Sequence, residues 1–180
     1  MTGVNDCDNN EDQRNEPNLL RRDIGKAGDQ ADGESRGLDW WLTDNPGHDG
    51  VMACVARLNE IYQEHPALWS DDFTNHGFEW IDGSDGDNNV LSYIRKSAID
   101  DDVVVAVCNF AGTPHYDYRV GLPMEGEWTE LLNTDAVEYG GSGVGNLGSV
   151  HTEEVPWNGR AQSALLQLPP YGVVYLTPKK

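Results

Sequence analysis

Apolar and polar residues follow two different rhythms along this chain, and the change between them marks its organisation. Residues 46–64 repeat with the period of a helix. Val51, Val55, Leu58 and Tyr62 form a stripe that Cys54 and Ile61 widen, while Asp49, Glu60, Gln63 and Glu64 take the other face. The ends are marked too. Asn45 is a capping residue, Pro46 suits a first turn that needs no N–H, Asp49 sits at the favourable end of the helix dipole, and Pro66 stops the run. Such a helix has an apolar face that requires a cover.

From residue 77 the rhythm shortens. Gly77–Ile81, Val90–Lys96, Val103–Phe110, Tyr116–Leu122, Glu127–Leu132, Ser163–Leu168 and Gly172–Thr177 are short runs rich in β-branched and aromatic residues. Turn chemistry separates them at 82–89, 99–102, 111–115, 123–126 and Pro169-Pro170. Val103 to Val107 is apolar throughout, which predicts a central strand covered on both faces. The fold class that follows is mainly β: an antiparallel β-sandwich preceded by one α-helix.

Composition changes the picture at the N-terminus. All sixteen Phe, Trp and Tyr residues lie beyond residue 37, and residues 1–37 carry nine acids and five bases around a lone Leu19-Leu20 pair. That segment cannot bury enough apolar surface to offset its chain entropy and is expected to be a disordered tail. The alternative is a short docking helix near Leu19–Ile24. With 180 residues the chain has room for one domain and is too short for a complete barrel enzyme of about 250 residues.

Charge excludes two partner classes. Acids outnumber bases 31 to 12, a net charge of −19. Nucleic acids and anionic membrane surfaces would be repelled, and no run approaches the ~20 apolar residues of a spanning helix. Met1 to Asp6 lacks the basic and apolar stretches of a signal peptide. Cys7, Cys54 and Cys108 are odd in number and widely spaced, which argues against disulfides and a cysteine zinc site and points to a reducing cytoplasm. Cys54 and Cys108 are expected to be small core residues.

Several patterns bear on chemistry. Gly143-Val144-Gly145-Asn146-Leu147-Gly148 matches GxGxxG, yet no strand leads in and no helix pattern follows, so a glycine loop is expected rather than a dinucleotide site. Asp85-Gly86-Asp87-Asn88-Asn89 alternates oxygen donors, but Val90 stands where a calcium loop needs Gly and Lys96 where it needs Glu. The histidines at 48, 65, 76, 115 and 151 show no metal-ligand spacing, and serine has no GxSxG elbow. No catalytic residue, metal ligand or cofactor is assigned. Asp39, Trp40 and Trp41 differ in kind: adjacent large aromatics beside an acid offer a sugar a flat platform and a hydroxyl acceptor, or they pack on the following helix. Trp80, Trp128 and Trp157 are read as surface aromatics able to do the same.

Longer runs point to a family. Leu38-Asp39-Trp40, Arg57-Leu58-Asn59-Glu60-Ile61-Tyr62, Gly77-Phe78-Glu79-Trp80-Ile81, Val107-Cys108-Asn109-Phe110, Tyr118-Arg119-Val120-Gly121 and Leu132-Asn133-Thr134-Asp135 all resemble bacterial 1,4-alpha-glucan (glycogen) branching enzymes of the alpha-amylase superfamily. Most specific is the run Glu138-Tyr139-Gly140-Gly141-Ser142-Gly143-Val144-Gly145-Asn146. The resemblance covers residues 38–180. It implies that 38–66 is the last helix of a catalytic barrel with its lead-in, that 67–180 is the amylase-type C-terminal β-sandwich, and that 1–37 is unmatched.

It also implies retaining transglycosylation by an Asp nucleophile, a Glu acid/base and a stabilising Asp, all on a barrel upstream of the matched region. No position here inherits those roles, so the chain is expected to be an inactive C-terminal fragment whose partners are alpha-glucan (glycogen or amylose) and the missing catalytic barrel. The alternatives are a stand-alone alpha-glucan-binding β module and a non-functional gene remnant.

Overall fold

The structure, a computed structural model, describes residues 40–179, of which Trp40 and Pro46 are described in backbone only. The expectations for residues 1–37, for Leu19–Ile24, and for Cys7 and Asp39 lie outside the described residues. The chain divides after Trp40, and Trp41–Lys180 form one compact unit. Its elements are helix α1 (Pro46–Glu64) and strands β1 (Phe78–Asp85), β2 (Val90–Lys96), β3 (Val103–Asn109), β4 (His115–Leu122), β5 (Glu127–Asn133), β6 (Ser149–His151), β7 (Gln162–Leu168) and β8 (Val173–Pro178).

The strands form a six-stranded sheet in the order β1-β2-β3-β8-β5-β6 and a two-stranded sheet of β4 and β7. Every pairing is antiparallel. The core lies between the sheets. Ile94, Val105, Val107, Trp128, Val174 and Leu176 from the larger sheet meet Val120, Leu122, Ala164, Leu166 and Leu168 from the smaller. Among the described residues, a mainly β sandwich behind a single α-helix is therefore what the chain forms.

Two differences from the expected strands have local causes. β1 continues to Asp85, through what reads as turn chemistry, because register shifts after Trp80 and Asp82 absorb Gly83 and Ser84 into a bulged edge strand. β6 has three residues, too few to show an alternating pattern, and is held by pairing with β5. Trp128 corrects a sequence reading: it is fully buried in the core, with its indole N–H donating to the Met124 carbonyl at 3.2 Å. Cys54 and Cys108 are half-buried free thiols rather than core residues, and desolvation raises both pKa values.

β3 is covered on both faces, as its unbroken apolar run requires. Val105 and Val107 face the inter-sheet core, while Val104 and Ala106 on the other face are also buried. The chain after α1 supplies that second cover: a 3-10 turn at Pro66–Leu68 lies against β2 and β3, with Ala67 fully buried.

Helix α1 begins as its capping signals predict, with the Asn45 side chain accepting the Gly47 N–H at 3.1 Å. Its apolar stripe is divided between two environments. Gly50 and Ile61 are buried, with Cys54, Arg57 and Leu58 half-buried, where the helix meets β5 and the 3-10 turn at Val137–Tyr139. The neighbouring edge, Val51, Met52, Val55 and Tyr62, is 46–60% exposed.

The helix approaches the Val137–Tyr139 turn so closely that a Cβ on Gly50 would lie 2.6 Å from the Tyr139 carbonyl oxygen, whereas one on Gly47 would meet nothing nearer than 3.6 Å. Glycine to alanine in an open helix stabilises by about 0.5–1 kcal/mol. Gly47→Ala is expected to follow that rule and raise the thermal midpoint. Gly50→Ala is expected to lower it, because backbone must separate from backbone. Paired melts followed by circular dichroism check the opposite signs.

Candidate functional site

Charged side chains fix the joint between helix and sandwich. Asp102, 6% exposed, accepts the Ala67 N–H at 3.0 Å through one oxygen and meets His65 Nδ1 at 2.9 Å through the other. Arg95 projects from β2 and donates to the carbonyls of Ala67 and Asp71 at 3.3 Å and to the Asp72 carboxylate at 2.5 Å. Residues 65–72 are thus fastened from both sides, and the His65–Asp102 pair is committed to structure.

The glycine loop is likewise committed. It leads into strand β6, not a helix. The Asp135 carboxylate takes its donors: the Ser142 N–H at 2.9 Å, the Ser142 hydroxyl at 2.5 Å and the Val144 N–H at 3.2 Å. Glu130 accepts both the backbone N–H and the side-chain amide of Asn146, at 3.1 and 2.6 Å. The N–H groups of Ser142, Val144 and Asn146 are thus spent on carboxylates of the same chain, and that of Gly143 on the Asp135 carbonyl.

The oxygen-rich hairpin is also satisfied internally. Asp85 accepts the Tyr118 hydroxyl at 2.6 Å, the Asn88 N–H at 3.2 Å and the Asn88 amide at 2.9–3.0 Å. No group of three or more His, Cys, Asp or Glu suited to a metal ion occurs among the described residues. None of their helices is long and apolar enough to cross a membrane.

Of the expected sugar platform, Asp39 is outside the described residues. Trp40 opens a 3-10 turn at Trp40–Asp44, and Trp41 in that turn is 68% exposed. Trp80 and Trp157 are surface aromatics as read, at 54% and 48% exposure.

Trp80 is the one that the fold locks in place. Phe78 meets it edge to face at 5.0 Å and 89°, and Tyr93 does so at 6.1 Å and 83°. Phe78 and Tyr93 themselves stack at 5.4 Å. Such pairs contribute about 0.5–1.5 kcal/mol each beyond the area they bury. Burial pushes the Tyr93 phenol up to about 12, so it stays a neutral neighbour.

Gly83 lies against the indole, since a Cβ there would stand 3.2 Å from two of its ring carbons. Gly83 also lines a surface groove of ≈ 360 Å³ with Ser84, Asp85, Asn89, Leu91 and Phe110. Sequence reasoning missed Phe110 as part of this surface. It reaches the groove because the Phe110 N–H donates to the Asn89 carbonyl at 2.9 Å, extending the β2–β3 register past the hairpin.

The groove wall has a pH dependence of known sign. The Tyr118 hydroxyl, with smaller help from Asn88, holds the Asp85 carboxyl below the usual carboxylate range, and burial together with that bond raises the Tyr118 phenol. A carboxyl whose folded pKa is depressed stabilises fully above its unfolded value, and the contribution is lost as pH falls through the folded one. Asp85→Asn is expected to flatten the loss of stability below about pH 4 while leaving the shape of the curve at neutral pH unchanged. Urea midpoints measured from pH 2 to 7 check this.

Residues 80–179 match the family described as alpha amylase, C-terminal all-beta domain. Relatives that bear the name 1,4-alpha-glucan branching enzyme GlgB include the following three. That of Leifsonia xyli subsp. xyli is 52% identical over 143 residues, 79% of this chain and 19% of the relative. That of Nocardia farcinica is 54% identical over 141 residues, 78% and 19%. That of Mycobacterium tuberculosis strain H37Rv is 52% identical over 146 residues, 81% and 20%. The chain therefore spans about a fifth of the length of the curated relatives it matches.

Proposed function

The chain belongs to the alpha amylase C-terminal all-beta domain family, and from that premise we propose that it is the C-terminal part of a cytoplasmic 1,4-alpha-glucan branching enzyme. Its role there is to support a catalytic barrel that acts on alpha-glucan. One observation carries this reading: an identity of 52% over 143 residues is too long to fit within residues 80–179, so it reaches back through helix α1.

Residues 38–66 are, in this proposal, the barrel's last helix with its lead-in, and residues 67–180 are the β domain behind it. The divided stripe of α1 supports that division of labour. One edge is spent on the sandwich, and Val51, Met52, Val55 and Tyr62 present a second apolar edge that a neighbouring barrel helix would cover. Exposed on a chain of net charge −19, that edge fits the role of a cohesive surface between parts of one enzyme.

Branch formation by retaining transglycosylation needs a carboxylate nucleophile opposite an acid/base. In this reading both belong to the barrel, so the purified chain is expected to leave the amylose–iodine spectrum constant with time. A progressive spectral shift would overturn that.

Support of the barrel has its own test. Co-expressed with the barrel portion of a bacterial branching enzyme, the chain is expected to co-purify with it. Val55→Glu, at a half-exposed position, is expected to cut recovery of the complex by about tenfold with no change in the chain's own melting. Equal recovery of the variant would reject the α1 edge as the contact.

A further inference from the structure

Asn158 precedes Gly159, and no other asparagine of the chain is followed by glycine. The pair forms a two-residue turn. Asn158 has φ 47° and Gly159 φ 72°, and Trp157 and Arg160 on either side exchange backbone hydrogen bonds at 3.0 and 2.9 Å. We propose that this turn is a latch between the two sheets, and that Asn158 is a site of spontaneous deamidation that opens the latch irreversibly. Neither part depends on a catalytic barrel.

The turn is fastened to both sheets. On the smaller one, the Gly121 N–H of β4 donates to Asn158 Oδ1 at 3.0 Å, and a Cβ on Gly121 would stand 2.3 Å from the Trp157 carbonyl oxygen. On the larger one, Asn158 Nδ2 donates to Asp82 Oδ2 of β1 at 3.2 Å, and Arg160 pairs with Glu79 of the same strand. A single side-chain amide is thus acceptor to one sheet and donor to the other. An ionised carboxyl in its place could only accept.

The reaction needs only water. The Gly159 nitrogen gives up its proton and bonds to Asn158 Cγ; the bond from Cγ to Nδ2 breaks, and Nδ2 leaves as ammonia with that proton. Water then opens the succinimide ring at either carbonyl. Its hydroxyl stays on the carbon as a carboxyl group, and its hydrogen goes to the ring nitrogen, which yields Asp or isoaspartate. Two features favour the reaction here. Space around Gly159 is open, since a Cβ there would meet nothing within 4 Å. The Gly121 N–H already rests on Oδ1, the oxygen that gains negative charge when Cγ is attacked.

The product turns an attraction into a repulsion. Asp82 Oδ1 keeps the Ser84 N–H and hydroxyl at 2.9 and 3.1 Å, but Oδ2 loses the Asn158 N–H and faces a like charge. Arg160, the cation of the same turn, is already engaged by Glu79. Isoaspartate also adds a main-chain carbon between Trp157 and Arg160, whose mutual hydrogen bonds are spaced for a two-residue turn.

Peptide mass mapping of the full chain, held for days at mildly alkaline pH with and without urea, tests the site. Residue 158 is expected to convert to Asp and isoaspartate in the folded chain; conversion in urea alone would overturn the assignment. Urea unfolding tests the latch. Asn158→Asp is expected to lower the folding equilibrium constant by roughly tenfold, and Asp82→Asn in the same chain to recover most of that loss. Recovery in the double variant supports the repulsion even where Asn158→Asp alone does not fold. A neutral Asn158→Asp, or an equal loss with Asn at residue 82, rejects the latch.

Discussion

A strand that is apolar on both sides cannot sit at the surface of a sandwich, and β3 is such a strand. Val105 and Val107 are covered by the second sheet, but Val104 and Ala106 face away from it and must be covered by something else. That need brings the chain after α1 down onto β2 and β3, buries Ala67, and justifies placing two charged groups, Arg95 and Asp102, where they close around residues 65–72. Buried charges are costly unless their partners are complete. Here the backbone of the covering segment supplies those partners, so cover and clamp stabilise each other.

The glycine loop shows the same economy. Asp135 and Glu130 gather the donors of residues 142–146, and the turn just before that loop provides the surface on which α1 rests. Gly50 marks how close that rest is. A sequence motif that superficially suits nucleotide binding is thus a packing device, closed by carboxylates and pressed by a helix.

Much of the architecture was legible in the residues. Asn45, Pro46 and Pro66 bounded α1 as observed, and the β-branched and aromatic run of β2 marked Val90–Lys96 without error. Trp128 was misread because it stands between Glu127 and Thr129, which look like solvent neighbours; strand alternation turns those two outward and the indole inward. β6 was invisible because three residues carry no period. The groove was harder still. Gly83 and Phe110 lie far apart in sequence and meet through the bulged edge of β1 and the extended β2–β3 register, neither of which a linear pattern encodes.

The fastening of residues 65–72 has a mechanical consequence. Arg95 and Asp102 hold the end of α1 against the sheet at several points, so the joint is built as a welded elbow and not as a hinge. Whatever grips the outer edge of the helix also sets the heading of the far hairpin.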